Sequence, residues 1–131
     1  MRIFIAGFCA ILSYILGGFT VALQALICFI VADYVVGVTV AAYLGKLSSK
    51  KGFKGILKKV LILALVAVAY LLDRVIFGHG YLLRDAVVLF YIANEVISIL
   101  ENIGKTNLPI PQKLKDAVEI LKGGAKDENH R

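Results

Sequence analysis

The chain has 131 residues, of which 60% are hydrophobic and 18% are charged, and its formal net charge is +6. Soluble domains are about 45 to 50% apolar and about 25% charged, and a soluble chain of this composition and length would leave large apolar patches in water. The composition therefore indicates an integral membrane protein. It excludes a cytosolic enzyme, a disulfide-stapled secreted module and a disordered tail.

The first apolar block covers residues 3–44, and as a single helix it would be about 63 Å long. This length is twice the roughly 30 Å thickness of the hydrocarbon core, so one span cannot account for it. Gly17 and Gly18 are the weakest helical point of the block. We therefore predict a turn there, between helices at about 3–18 and 21–45.

Asp33 is an acid deep within the second predicted helix, about 18 Å from Gly45. The same helix has no basic residue that could pair with it. Small residues follow at every fourth position, and such a series lets another helix approach closely. These residues are Gly37, Ala41 and Gly45. Asp33 is thus either part of a helix contact or a group that makes assembly sensitive to the state of the membrane.

A lysine-rich connector follows, and the stretch from position 46 to position 59 contains no acid. Because it is short and lies between apolar blocks, the positive-inside rule predicts that it faces the cytoplasm and contacts anionic lipid headgroups. We favour this interpretation over nucleic-acid binding. The lysines of this basic loop are Lys46, Lys50, Lys51, Lys54, Lys58 and Lys59.

Two further helices are predicted at about 58–77 and 81–103, separated by a glycine-rich turn. In an antiparallel hairpin, residues at equal distances from the turn lie level with each other. This predicts two interfacial salt bridges that fix the register of the hairpin, with a channel-lining role as the alternative. The expected pairs are Asp73 with Arg84 and Arg74 with Asp85.

The fourth predicted helix carries five polar side chains within an arc of roughly 120°. A polar stripe facing lipid would be unstable, so it must face other helices, a second subunit or water. A hydrogen-bonded packing seam and a pore wall both satisfy these groups. The stripe consists of Asn94, Glu95, Ser98, Glu101 and Asn102.

The tail, residues 105–131, should lie on the same side as the lysine connector because two spans separate them. Pro111 is suited to the first turn of a short amphipathic helix at the membrane surface or against a partner. Its apolar face would hold Leu114, Val118 and Leu121.

The predicted fold is an all-α integral membrane protein with two parts. Residues 1–104 form four transmembrane helices arranged as hairpins, with three spans as the alternative. Residues 105–131 form an amphipathic, basic cytoplasmic tail.

The sequence shows no motif for catalysis or cofactor binding. Cys9 and Cys28 lie in apolar runs, and no His, Cys and carboxylate cluster has the spacing of a metal site. No nucleophile elbow or glycine-rich phosphate loop is present. We therefore predict that the protein is not an enzyme and needs no metal or cofactor.

Three segments carry a resemblance to a known family. They are Asp33 with Gly37, LGKLSSKKGFKGILKK from Leu44 to Lys59, and YIANEVISILENIGKTNLPIPQKLKDAVEIL from Tyr91 to Leu121. The most specific feature combines an intramembrane Asn-Glu, a Glu-Asn one to two turns later, and a Pro-x-Pro entry into an amphipathic tail. In these residues the chain resembles the toxin-secretion and phage-lysis holins, which are encoded by phages and prophages of Gram-positive bacteria.

The resemblance implies a multi-pass protein of the bacterial host's cytoplasmic membrane that self-associates into a homo-oligomer. Such a protein opens lesions that collapse the membrane potential and let an endolysin, or a toxin, cross, and the host then lyses. Its partners would be membrane lipids, copies of itself and the passing cargo, with no nucleic acid.

Two other functions stay open from the sequence. One is a small transporter subunit with Asp33 or Glu95 as its coupling carboxylate, although the chain has no Trp and few aromatic residues near Asp33 to form a substrate site. The other is a non-conducting membrane scaffold or holin antagonist that recruits partners through its tail.

Overall fold

A computed structural model describes the backbone of residues 1–129 and the side chains of residues 1–120. Residues 130 and 131 of the predicted tail, and the side chain of Leu121, therefore lie outside the described part. The elements are α1 (Arg2–Leu16), α2 (Val21–Tyr43), α3 (Ser49–Phe77), α4 (Leu82–Gly104) and α5 (Gln112–Asn129).

All the secondary-structure elements of the described chain are helices, and three of them, α2, α3 and α4, are long and apolar enough to cross a membrane. Helix α1 has 15 residues, which gives a length of about 22 Å. This is shorter than the roughly 30 Å hydrocarbon core. The all-helical membrane fold is therefore confirmed, with three helices rather than four of full spanning length.

Helix α3 begins at Ser49 rather than near position 58. The Ser48 hydroxyl accepts a hydrogen bond of 3.4 Å from the Lys51 backbone N–H, which satisfies one of the free donors of the first turn. The predicted basic loop is consequently mostly helix, and only Lys46 of its lysines lies in the turn between α2 and α3. Those on α3 are Lys50, Lys51, Lys54, Lys58 and Lys59.

Helix α4 lies at the centre of the fold, packed mainly against α2 and next against α3, while α5 contacts α4. Helix α1 packs against α3 and not against α2. Thus α3 and α4 form the predicted hairpin, whereas α1 and α2 do not pack against each other as a hairpin. At the end of α1, Gly17 lies against the Tyr70 ring of α3, where an added Cβ would come within 2.5 Å.

The buried apolar core lies in one half of the bundle. We call the end that holds Arg74 and Arg84 the arginine end, and the opposite end, which holds Lys46 and Lys51, the lysine end. The core fills the half towards the arginine end, and we call it the apolar layer. Its residues are Leu16, Leu23, Leu26, Ile30, Ile62, Val66 and Val88.

Candidate functional site: a polar cleft between the spanning helices

A cleft of about 730 Å³ opens between α2, α3 and α4 in the half of the bundle towards the lysine end. It brings together the Asp33 series of α2 and most of the polar stripe of α4, which the sequence presented as separate features. Its polar lining includes Asp33, Lys59, Asn94, Glu95, Ser98 and Asn102. The polar stripe thus faces the interior of the bundle, with Glu95 buried and Asn94 at the exposed rim.

Three charged side chains meet within this cleft, one from each helix. The Lys59 ammonium donates hydrogen bonds to Asp33 Oδ2 and to Glu95 Oε2. The side chains of Asp33 and Glu95 are only 8% and 5% exposed, so both acids are buried with a partner. We call these three residues the charge cluster. It joins α2, α3 and α4 through a single cation.

The charge cluster is not electrically balanced. With all three groups ionised, two carboxylates face one ammonium and the net charge is −1. In addition, Asp33 Oδ1 is buried and has no hydrogen-bond partner among the described residues. A buried polar atom is costly to leave without a hydrogen bond.

The pairing of Lys59 is not evident from the sequence, because Lys59 is one of six lysines in the predicted basic loop. The face it occupies on α3 could have identified it. Ile62 and Val66 follow it at the third and seventh positions and are buried, whereas the neighbouring Lys58 is exposed. Residues with this spacing lie on one side of a helix. Lys59 therefore belongs to the buried face of α3.

Two predicted site residues lie outside the cleft. Helix α2 ends at Tyr43, and Gly45 lies in the following turn with φ 69° and open space around it. The small-residue series is thus limited to Gly37 and Ala41. Glu101 does not line the cleft and instead lines a small cavity of about 220 Å³ between α4 and α5.

Close helix contacts shape the wall of the cleft. A Cβ at Gly37 would lie 3.8 Å from the Asn102 side-chain amide nitrogen, and one at Gly52 would lie 3.4 Å from the Tyr34 hydroxyl. A Cβ at Gly55 would lie 3.6 Å from the same tyrosine ring. An added methyl group at these points would make ordinary van der Waals contact, so α2 packs against α3 and α4 here without a steric requirement for glycine.

The arginine end is organised differently from the predicted pair of salt bridges. The buried Asp73 carboxylate accepts hydrogen bonds from the backbone N–H groups of Leu83 (2.9 Å) and Arg84 (3.0 Å). It therefore caps the first turn of α4, whose N–H groups have no partner within the helix. Arg74 lies over the rings of Tyr70 and Tyr81, at 4.8 Å and 5.1 Å from their centroids.

Arg84 joins the start of α4 to the turn between α1 and α2. Its guanidinium is fully buried and donates to the backbone carbonyls of Leu16 (3.0 Å), Gly17 (2.9 Å) and Gly18 (3.3 Å). It also donates to Asp85 Oδ1 at 3.2 Å. The expected pairings of Asp73 with Arg84 and of Arg74 with Asp85 are therefore wrong, because the helix ends offer these groups backbone partners and the tyrosines offer ring faces.

A family model described as the bacteriophage holin family matches residues 10–123. The chain belongs to the bacteriophage holin family. This confirms the resemblance based on the Asp33 segment, the lysine connector and the Asn-Glu helix. The matched part contains the whole charge cluster, the cleft and the arginine end of this holin-family protein.

Individual relatives agree with this membership. Lin0175, an uncharacterized protein of Listeria innocua, is 46% identical over 132 residues, covering 99% of this chain and 94% of the relative. A 14.9 kDa Clostridium perfringens protein from the nagH 3' region is 41% identical over 109 residues, or 83% of each chain. A protein named "Probable holin" of Bacillus phage phi105 is 34% identical over 91 residues, or 70% of this chain and 67% of its own. No solved structure shows a significant match to the chain.

Proposed function

We propose that this holin-family protein self-associates in the bacterial cytoplasmic membrane and opens lesions that dissipate the membrane potential and let an endolysin or toxin cross. In this proposal the lysine end faces the cytoplasm, because six lysines without an acid lie between positions 46 and 59. The C-terminal helix α5 follows α4 at the same end and is therefore cytoplasmic as well.

The observation that carries the proposal is the polar cleft within the spanning helices. Asp33 lies twelve residues from the start of α2, or about 18 Å along the helix, which is close to the middle of the hydrocarbon core. The cleft thus extends from the lysine end past the charge cluster, along α3 as far as Leu65. The apolar layer fills the remaining half. Each subunit therefore holds a polar cleft at membrane depth, and the apolar layer closes this cleft towards the arginine end.

A single subunit with three long helices cannot surround an opening wide enough for a folded enzyme. The lesion must therefore form between subunits, with the polar face of α4 turned from the cleft towards water. Asn94, Ser98 and Asn102 then line the lesion, where water satisfies their hydrogen bonds. Turning α4 requires that Glu95 leave Lys59, so the charge cluster holds the closed form together.

The test is regulated expression of the full chain in a bacterium, with membrane potential and optical density followed together. One culture also produces a cytoplasmic endolysin, and a matched culture produces a catalytically inactive version of the same endolysin. We expect a delay, then depolarisation in both cultures, and lysis only in the culture with active endolysin.

Other outcomes separate the alternative functions. An intact potential at high membrane levels of the protein would contradict lesion formation. A carrier would transport a solute but would not let the endolysin cross the membrane to reach the cell wall. A scaffold would leave the potential intact and lose its effect when α5 is removed.

A further inference from the structure

The mouth of the cleft has a feature that lesion formation does not explain, namely a cluster of cationic side chains above an apolar wall. We propose that the cleft binds one anionic phospholipid, with the phosphate at Lys46, Lys51 and Lys58 and an acyl chain along the apolar wall. This inference goes beyond the proposed function, since a lipid can occupy the cleft whether or not the protein opens lesions.

The charges at the mouth favour an anion. Lys46, Lys51 and Lys58 line the cleft and are exposed. The acids among the lining residues are Asp33 and Glu95, and both are bound to Lys59. No carboxylate of the lining therefore neutralises the three outer lysines.

Ser48 adds a polar residue to the same part of the lining. Its hydroxyl and its carbonyl accept hydrogen bonds from the backbone N–H groups of Lys51 and Gly52, so these two donors of the lining are already used. The lysine ammonium groups form charge-assisted hydrogen bonds with phosphate oxygens. The lining thus combines three cations with a cavity.

The apolar part of the lining favours a lipid over a soluble phosphate. Leu47 and Val38 line the cleft near the lysine end, and Leu61 and Leu65 line it further along α3. Leu61 and Leu65 are 63% and 47% exposed, so the cleft is open at the lateral surface of the bundle, where the bilayer lies. A lipid can enter from the bilayer with its chain in apolar surroundings, whereas a soluble anion would use the lysines alone.

The size of the cleft also suits this ligand. Pockets that hold small ligands typically enclose about 300 to 1,000 Å³. The volume of about 730 Å³ lies within this range and accommodates a headgroup with part of one acyl chain. The position at the lysine end places the phosphate at the cytoplasmic headgroup level, where anionic lipids are enriched.

Native mass spectrometry of the full chain in dodecyl maltoside micelles tests the proposal. The protein is titrated with dioleoylphosphatidylglycerol, with dioleoylphosphatidylcholine and with glycerol 3-phosphate. The test variant is Lys51→Gln with Lys58→Gln. The matched control is Lys50→Gln with Lys54→Gln, which removes the same charge from the same helix at residues outside the cleft lining.

A lysine near a lipid headgroup contributes about 1 kcal/mol, or about fivefold in affinity. We expect the cleft variant to bind phosphatidylglycerol about 25-fold more weakly than the wild type, and the control variant less than about twofold more weakly. Phosphatidylcholine should bind weakly to all three proteins. Equal losses in both variants, or no preference for phosphatidylglycerol, would overturn the proposal. Glycerol 3-phosphate binding as tightly as the lipid would show a soluble-anion site instead.

Discussion

Removing the Lys59 ammonium tests whether the charge cluster holds the closed subunit together. In Lys59→Met the side chain keeps its apolar stem and loses its two hydrogen bonds, to Asp33 and Glu95. Two buried carboxylates then face each other without a cation. We expect α2 and α4 to separate more easily, because separation exposes both carboxylates to water.

The size of the effect follows from burial. Removing one partner of a buried ion pair typically costs about 3 to 5 kcal/mol. The Lys59 side chain is 18% exposed, so water already weakens the interaction and the lower figure applies. A loss of about 3 kcal/mol shifts the equilibrium away from the closed form by roughly 150-fold. In cells, the delay before depolarisation should shorten.

The assay is the unfolding of the full chain in mixed dodecyl maltoside and sodium dodecyl sulfate micelles, followed by energy transfer between dyes on α2 and α4. Lys58→Met is the matched control, since it removes a lysine at the neighbouring, exposed position. The triple variant that adds Asp33→Asn and Glu95→Gln to Lys59→Met removes the uncompensated charge. It should recover most of the lost stability, because neutral polar groups cost less to bury than ions.

Equal unfolding free energies for Lys59→Met and Lys58→Met would contradict this prediction, because the contacts of Lys59 would then contribute nothing to helix packing. A triple variant less stable than Lys59→Met alone would also refute it. In that case the loss would come from packing of the lysine stem rather than from unpaired charge.

Three further predictions concern the arginine end and the tail. Arg84→Lys should weaken the attachment of the α1–α2 turn, because an ammonium cannot replace a planar guanidinium that bonds several acceptors. Hydrogen exchange of α1 should therefore rise clearly more in this variant than in Arg74→Lys. Gly17→Ala should lower stability by more than Gly18→Ala in the same micelle assay. Both glycines have positive φ, which costs another residue about 1 to 2 kcal/mol, but only at Gly17 would the Cβ lie 2.5 Å from the Tyr70 ring. Deletion of α5 should leave depolarisation and lysis intact with altered timing, and loss of both would contradict lesion formation by the spanning helices.

The membrane class and the inward polar face of α4 could be predicted from the sequence, because both depend on composition and helical periodicity. The five polar residues of α4 fall on one arc, and the structure places Asn94, Glu95, Ser98 and Asn102 on the cleft. The family could be predicted as well, because its segments extend along most of the chain.

The partners of the charged groups could not be predicted, since they depend on how distant helices meet. Lys59 pairs with acids on two other helices, and its spacing to Ile62 and Val66 marks the buried face of α3 but not these partners. Arg84 donates to carbonyls of the α1–α2 turn, which exist as free acceptors only because α1 ends there. Equal spacing from a turn placed Asp73 level with Arg84, but backbone donors at the start of α4 compete more effectively for that carboxylate.

The most direct test of lesion formation uses the purified full chain and vesicles that contain phosphatidylglycerol. The vesicles hold a small dye and a folded, fluorescent protein, and the release of both is recorded after the chain has inserted. If the chain opens lesions as proposed, both leave the vesicles, abruptly and in the same event. Retention of the folded protein while the chain is fully inserted would contradict it, because such an opening could not pass an endolysin.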